Sequence, residues 1–183
     1  MSVAQRLLTY DDLRDTPDDG RRYEIIGGEM RVTPAPSWRH QEISIRLASR
    51  FHGFVTQNGL GRIVTAPIDV KLSEHDTVQP DLVFLSNERR HLLRGGAVHG
   101  APDLVVELLS PTTRADDEGR KAELYAGAGV REYWQLDPEY QDVRVYVLHE
   151  GRFELVPQEP GTVRSVILPG LVIDLATLFA DLW

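Results

Sequence analysis

Two short apolar runs, "QPDLVFLS" at 79–86 and "APDLVVELLS" at 101–110, are each opened by a Pro-Asp pair. Their β-branched, uninterrupted hydrophobicity reads as central strands of a sheet covered on both faces. On a strand, residues two apart share a face, so Asp103, Val105, Glu107 and Leu109 point one way and Leu104, Val106 and Leu108 the other. Glu107 is thereby set among apolar neighbours. An unpaired carboxylate there is costly, so such a residue is paired, protonated or bound to a metal.

The flanking patterns define the expected fold. "TYDDLRD" reads as a short helix with Thr9 as N-cap and Asp12 at the third helical position. "RRYEII" and "EMRVTP" form a hairpin about Gly27-Gly28. From Ser37 as N-cap, Ile43, Leu47, Phe51 and Phe54 recur at helical spacing until Gly59. "RIVTAPIDVKLS" alternates as a strand, and "ADDEGRKAELYAGAG" is an amphipathic helix closed by Gly127 or Gly129 before "REYWQLD" returns to strand. That β-helix-β crossover is right-handed if its strands are parallel. "DVRVYVLHEGRFELVP" is a hairpin about Glu150-Gly151, and "ATLFADLW" a closing helix. The expectation is an α/β fold with a mixed central β-sheet flanked by helices. With 183 residues and 42% hydrophobic content, one domain spanning 1–183 is expected.

Composition narrows the chemistry. The chain has no cysteine, which excludes disulfides, thiolate zinc sites and cysteine nucleophiles and fits a reducing cytoplasm. "MSVAQRLLTYDDL" lacks a signal-peptide core, and no run approaches the roughly 18 apolar residues of a membrane span, so a soluble, cytoplasmic protein without a membrane partner is expected. A net charge of -8 disfavours nonspecific attraction to a polyanion, so nucleic acid needs a local basic patch or cations. "NERRHLLRGG" is the densest basic cluster, readable as a phosphate-tracking loop or a solvated helix.

Asp81 opens the strand 26 positions before Glu107, and adjacent strands would bring the two carboxylates together at one sheet edge. A divalent cation relieves their repulsion, and magnesium favours one or two protein carboxylates with water and phosphate oxygens. Lys121 lies on the following helix, with Tyr125 one turn further on the same face. Its ammonium can orient a water or stabilise charge on a phosphate. Plainer readings stand beside these. Asp81 can be a turn residue, Glu107 the partner of an arginine such as Arg114, and Lys121 a solvated helix lysine. Asp103 competes with Asp81, but it lies roughly 13 Å along the strand from Glu107. Tyr133 and Trp134 read as core rather than base-stacking residues.

"RYEIIGGEM", "PAPSWRHQEI", "QPDLVFLS" and "PDLVVELLSPTTRADDEGRKAELYAGAGVREYWQLDP" together resemble the successive motifs of the bacterial Uma-type restriction endonucleases, within the restriction-endonuclease-like PD-(D/E)XK superfamily. The resemblance runs from about Tyr10 to Leu175. It implies a metal-dependent endonuclease acting on DNA with Mg2+ or Mn2+. It makes Asp81 and Glu107 the metal-holding acids and Lys121 the lysine, relocated to the helix because Leu109 replaces it two residues after the acid. It matches Glu24 and His40 to further site positions, and by resemblance a homodimer is expected. Two alternatives are a nuclease-fold module that binds nucleic acid or protein without turnover, and a phosphoesterase acting on RNA.

Overall fold

The structure, a computed structural model, describes residues 6–182. The first five residues, part of the stretch searched above for a targeting signal, and Trp183 lie outside the described residues. A 3-10 helix, Tyr10–Asp15, opens the described chain, with the Asp12 carboxylate accepting from the Thr9 amide at 2.8 Å. Strands β1 (Arg22–Ile26) and β2 (Glu29–Thr33) pair across Gly27-Gly28, whose φ values of 61° and 77° suit glycine in a two-residue turn. Helix α1 (Trp38–Gln57) starts where Ser37 accepts from the His40 amide. It buries Ile43, Leu47, Phe51 and Val55 along one stripe.

Next come β3 (Gly61–Thr65), β4 (Asp69–Lys71), β5 (Thr77–Val78), β6 (Leu82–Ser86), β7 (Leu93–Arg94), β8 (Ala97–His99) and β9 (Leu104–Leu108). Helices α2 (Arg114–Glu118) and α3 (Arg120–Ala128) lead to β10 (Glu132–Asp137), β11 (Asp142–His149) and β12 (Arg152–Val156). Strands β13 (Thr162–Arg164) and β14 (Val172–Asp174) form a small ribbon before α4 (Leu175–Leu178).

The two large sheets have the orders β2-β1-β5-β4-β8-β7 and β12-β11-β10-β9-β6-β3. Each is mixed, with β4-β8 parallel in the first and β9-β10 parallel in the second. Strand β9 is buried along its whole length, which explains its unbroken apolar composition. Leu104, Val106 and Leu108 face the core shared with α1, while Val105 joins Tyr125 and Tyr133 on the opposite face.

Three expectations are corrected. "RIVTAPIDVKLS" is two strands on different sheets, β3 and β4, parted at Pro67, which has no amide for a ladder. "ADDEGRKAELYAGAG" is two helices broken at Gly119, whose φ of -106° and ψ of -95° are not helical; Gly129, at φ 89°, closes the second. "ATLFADLW" is helical only over the single turn of α4, and Asp181 has already turned left-handed at φ 53°. Among the described residues, no helix is long and apolar enough to cross a membrane.

Candidate active site

The antiparallel register of β6 on β9 pairs Leu82 with Val106 and Val83 with Val105. One step further, it sets Asp81 against Glu107, on the same face of the sheet. Both side chains are almost completely buried. Asp81 is held from three directions. Its Oδ2 accepts from the Leu108 amide at 2.7 Å, its Oδ1 accepts from the Arg22 guanidinium at 2.6 Å, and His40 Nε2 lies 3.2 Å from Oδ2. Burial pushes the Asp81 pKa up, but the hydrogen bond and charge of His40, the charge of Arg22 and the Leu108 amide outweigh it and leave it lowered.

Glu107 sits in the opposite environment. Tyr125 donates to its Oε1 at 2.6 Å and Lys121 at 3.2 Å, so both hydrogen bonds land on one oxygen and leave Oε2 for a ligand. Burial raises the Glu107 pKa well above the usual range; Lys121 opposes the shift, while Asp117, Asp81 and Glu24 reinforce it.

Lys121 is the hub. Its Nζ lies 2.9 Å from Glu24 Oε1, 3.2 Å from Glu107 Oε1 and 3.3 Å from Asp117 Oδ1, and its side chain is 5% exposed. Burial pushes its pKa down, and the three carboxylates overcome this to raise it well above the ordinary lysine value. Glu24 Oε1 also accepts from the Gln79 amide at 2.7 Å, which ties β1 to the segment between β5 and β6 that carries Asp81.

Arg22, Glu24, His40, Asp81, Glu107, Asp117 and Lys121 line a cleft of about 500 Å³ together with the Thr33–Ser37 and Ser110–Arg114 segments. Four buried carboxylates, Glu24, Asp81, Glu107 and Asp117, face two permanent cations, Arg22 and Lys121. Among the described residues, no group of three or more histidine, aspartate or glutamate side chains is arranged to hold a metal. Magnesium nevertheless needs only one or two carboxylates when water and phosphate oxygens complete its shell. The Asp81 and Glu107 pair suits such an ion in donor type: Oε2 of Glu107 is engaged by neither Lys121 nor Tyr125, whereas both Asp81 oxygens already accept from protein donors.

All six residues singled out from the sequence, Glu24, His40, Asp81, Glu107, Lys121 and Tyr125, are brought together. The plainer partners go elsewhere. Arg114 pairs with Asp137 at 2.6 Å, and Asp103 accepts from the Ser86 amide at the far end of β9. Arg89 of the basic cluster donates to the Ala101 and Pro102 carbonyls, and Tyr133 and Trp134 are core. Sequence reasoning missed Arg22 and Asp117. Arg22 stands two residues before Glu24 on one strand face, and Asp117 one turn before Lys121, so spacing alone held a signal for both.

A family model described as "Uma2: Putative restriction endonuclease" matches residues 9–176. Among solved structures, a putative nuclease belonging to DUF820 from Anabaena variabilis is similar, at 22% identity and a TM-score of 0.78, over 96% of this chain and 99% of that one. No curated protein matches. The architecture is thus the mixed α/β, restriction-endonuclease-like fold.

Proposed function

The chain belongs to the Uma2 family, described as putative restriction endonucleases, and from that premise we propose that it hydrolyses DNA phosphodiester bonds with the help of Mg2+ or Mn2+. The observation that carries this reading is the convergence on one cleft of Asp81, immediately before β6, Glu107 of β9 and Lys121 of α3. Asp81 and Glu107 would hold the ion. When bound, the ion lowers the pKa of water and offsets charge on the phosphate.

The remaining work falls to the chain. Arg22, His40 and the Leu108 amide keep Asp81 anionic and fix its rotamer. Tyr125 and Lys121 hold Glu107 by one oxygen, so the other faces the ligand in a set orientation. The Lys121 ammonium, desolvated at the cleft floor, can orient the attacking water or stabilise charge that grows on the phosphoryl oxygens. Leu109, where the superfamily usually has lysine, is buried and lines the cleft, so the cation of this site comes from the helix.

A second reading, a nuclease-fold module without turnover, is favoured by one observation: Asp81 and Lys121 already have complete sets of partners within the protein. Purified protein incubated with mixed bacterial genomic DNA and Mg2+ or Mn2+ separates the two. Hydrolysis predicts cutting by the wild type and a loss of about 10³-fold or more in Glu107→Gln, the scale of removing a group that acts on the transition state. No cutting by either protein, at concentrations where DNA is bound, sinks the DNA hydrolase in favour of the module or of an RNA substrate.

A further inference from the structure

The chemistry above gives Asp117 no part, yet this residue is 1% exposed and lines the same cleft. In a continuous helix its carbonyl would accept from the Lys121 amide four residues on. The helix is broken at Gly119, and the Asp117 carbonyl instead accepts from the Tyr133 hydroxyl at 2.9 Å and from Gln135 Nε2 at 3.2 Å. Both donors stand on β10, where Gln135 is the register partner of Glu107. The strand beside the acid-bearing strand therefore grips the last turn of α2 by its main chain.

The Asp117 side chain is left to reach Lys121 across the break. Its Oδ1 lies 3.3 Å from Nζ and has no hydrogen bond of its own. Glu24, Glu107 and Asp117 come from three separate elements, β1, β9 and α2. Two anions would leave a long, flexible side chain free to swing about the line between them; a third confines the ammonium to a point. We infer that Asp117 is a positioning residue: gripped by Tyr133 and Gln135, it holds the Lys121 ammonium against Glu107 across the helix break. The inference rests on the proposed hydrolysis for its catalytic consequence, but not for its geometry.

A double-mutant cycle on the full chain tests it. With a DNA that the wild type cuts, Asp117→Asn lowers kcat about 10- to 100-fold, the usual cost of losing a supporting contact, and leaves KM in place. Asp117→Glu recovers part of the loss. In a Lys121→Gln background, Asp117→Asn adds nothing. Losses that multiply in the double variant, or a wild-type kcat in Asp117→Asn, overturn the inference.

A second readout is independent of activity. The chain has only two lysines, Lys71 and Lys121, so acetylation by acetic anhydride can be followed at each by mass spectrometry, with Lys71 as the internal reference. Asp117→Asn should raise the labelling rate of Lys121 at least about 10-fold, the same scale as the kinetic loss. An unchanged rate overturns the inference. If the wild type cuts no DNA, the proposed hydrolysis fails and labelling alone decides the positioning role. If Asp117→Asn does not fold, Gln135→Met replaces it, removing one donor to the Asp117 carbonyl while keeping every charge in the site, with the same expected labelling.

Discussion

Lys121 is one of two lysines in a chain whose Lys and Arg total 20, and the site's chemistry explains the choice. An ammonium is a compact charge with three rotatable donors, able to meet three carboxylates at once, whereas a guanidinium is a planar fork suited to one carboxylate gripped bidentately. Arg22 meets only one carboxylate oxygen, Oδ1 of Asp81, through one of its terminal nitrogens. The two acids are driven apart by these surroundings, and their effects on stability have opposite signs. Asp81, with its pKa lowered, contributes stability that is present above the ordinary aspartate pKa and lost as pH falls through the lowered one. Glu107, with its pKa raised, contributes stability that is full below the ordinary glutamate pKa and lost as pH rises through the raised one. The wild type should therefore lose stability relative to Glu107→Gln as pH is raised from about 5 to 8, read as the difference in urea midpoints. A constant difference across that range would mean that Glu107 titrates normally. On the proposed reading, in which Glu107 holds the ion, a coordinating carboxylate must be ionised, so Mn2+ affinity measured by calorimetry should fall as pH drops through the raised Glu107 value.

At the scale of elements, the site depends on how closely β6 is flanked. Strand β9 supplies Glu107 on one side and β3 closes the sheet on the other. Gly61 begins β3 opposite Ser86, and a Cβ at that position would overlap the Leu85 carbonyl oxygen and crowd the Ser86 Cα. Backbone cannot yield as a side-chain tip can. Gly61→Ala should therefore destabilise the protein by about 3 kcal/mol in urea unfolding, a size reserved for substitutions that force strain or cavities. A change within about 0.5 kcal/mol, the range of an ordinary surface substitution, would show that the edge strand can shift. The break between α2 and α3 is the other decisive element. It keeps Asp117 and Lys121 in adjacent turns while giving each turn its own direction, with β10 satisfying the carbonyl that the break leaves without a helical partner.

At the scale of the whole molecule, the net charge of -8 bears on how DNA would be held. Of the cations lining the cleft, Arg22 is bound to Asp81, Arg114 to Asp137 and Lys121 to three carboxylates, which leaves Arg39 without an ion pair among the described residues. Few phosphates can then be neutralised. The logarithm of DNA affinity against the logarithm of salt should fall with a slope no steeper than about -3, where a protein contacting 6–10 phosphates would be far steeper. A steep slope in fluorescence anisotropy would reveal a basic surface away from this cleft. Much of this molecule was legible from its residues in order. The unbroken apolar run of β9 marks Glu107 as a buried acid, the Pro-Asp pair marks Asp81 at a strand start, and the α1 stripe and Gly-Gly hairpin follow local rules of period and turn. Local period does not carry across a proline or a glycine break, so the division of "RIVTAPIDVKLS" between two sheets and the splitting of the Lys121 helix were decided by distant partners. Sequence already pointed to Glu24 and Lys121, and spacing held a signal for Arg22 and Asp117, but their meeting at one point was decided by tertiary structure. Along its own element each charge can equally be solvated, and it becomes part of a buried ion-pair network only when β1, β9 and the broken helix close on one another and exclude water.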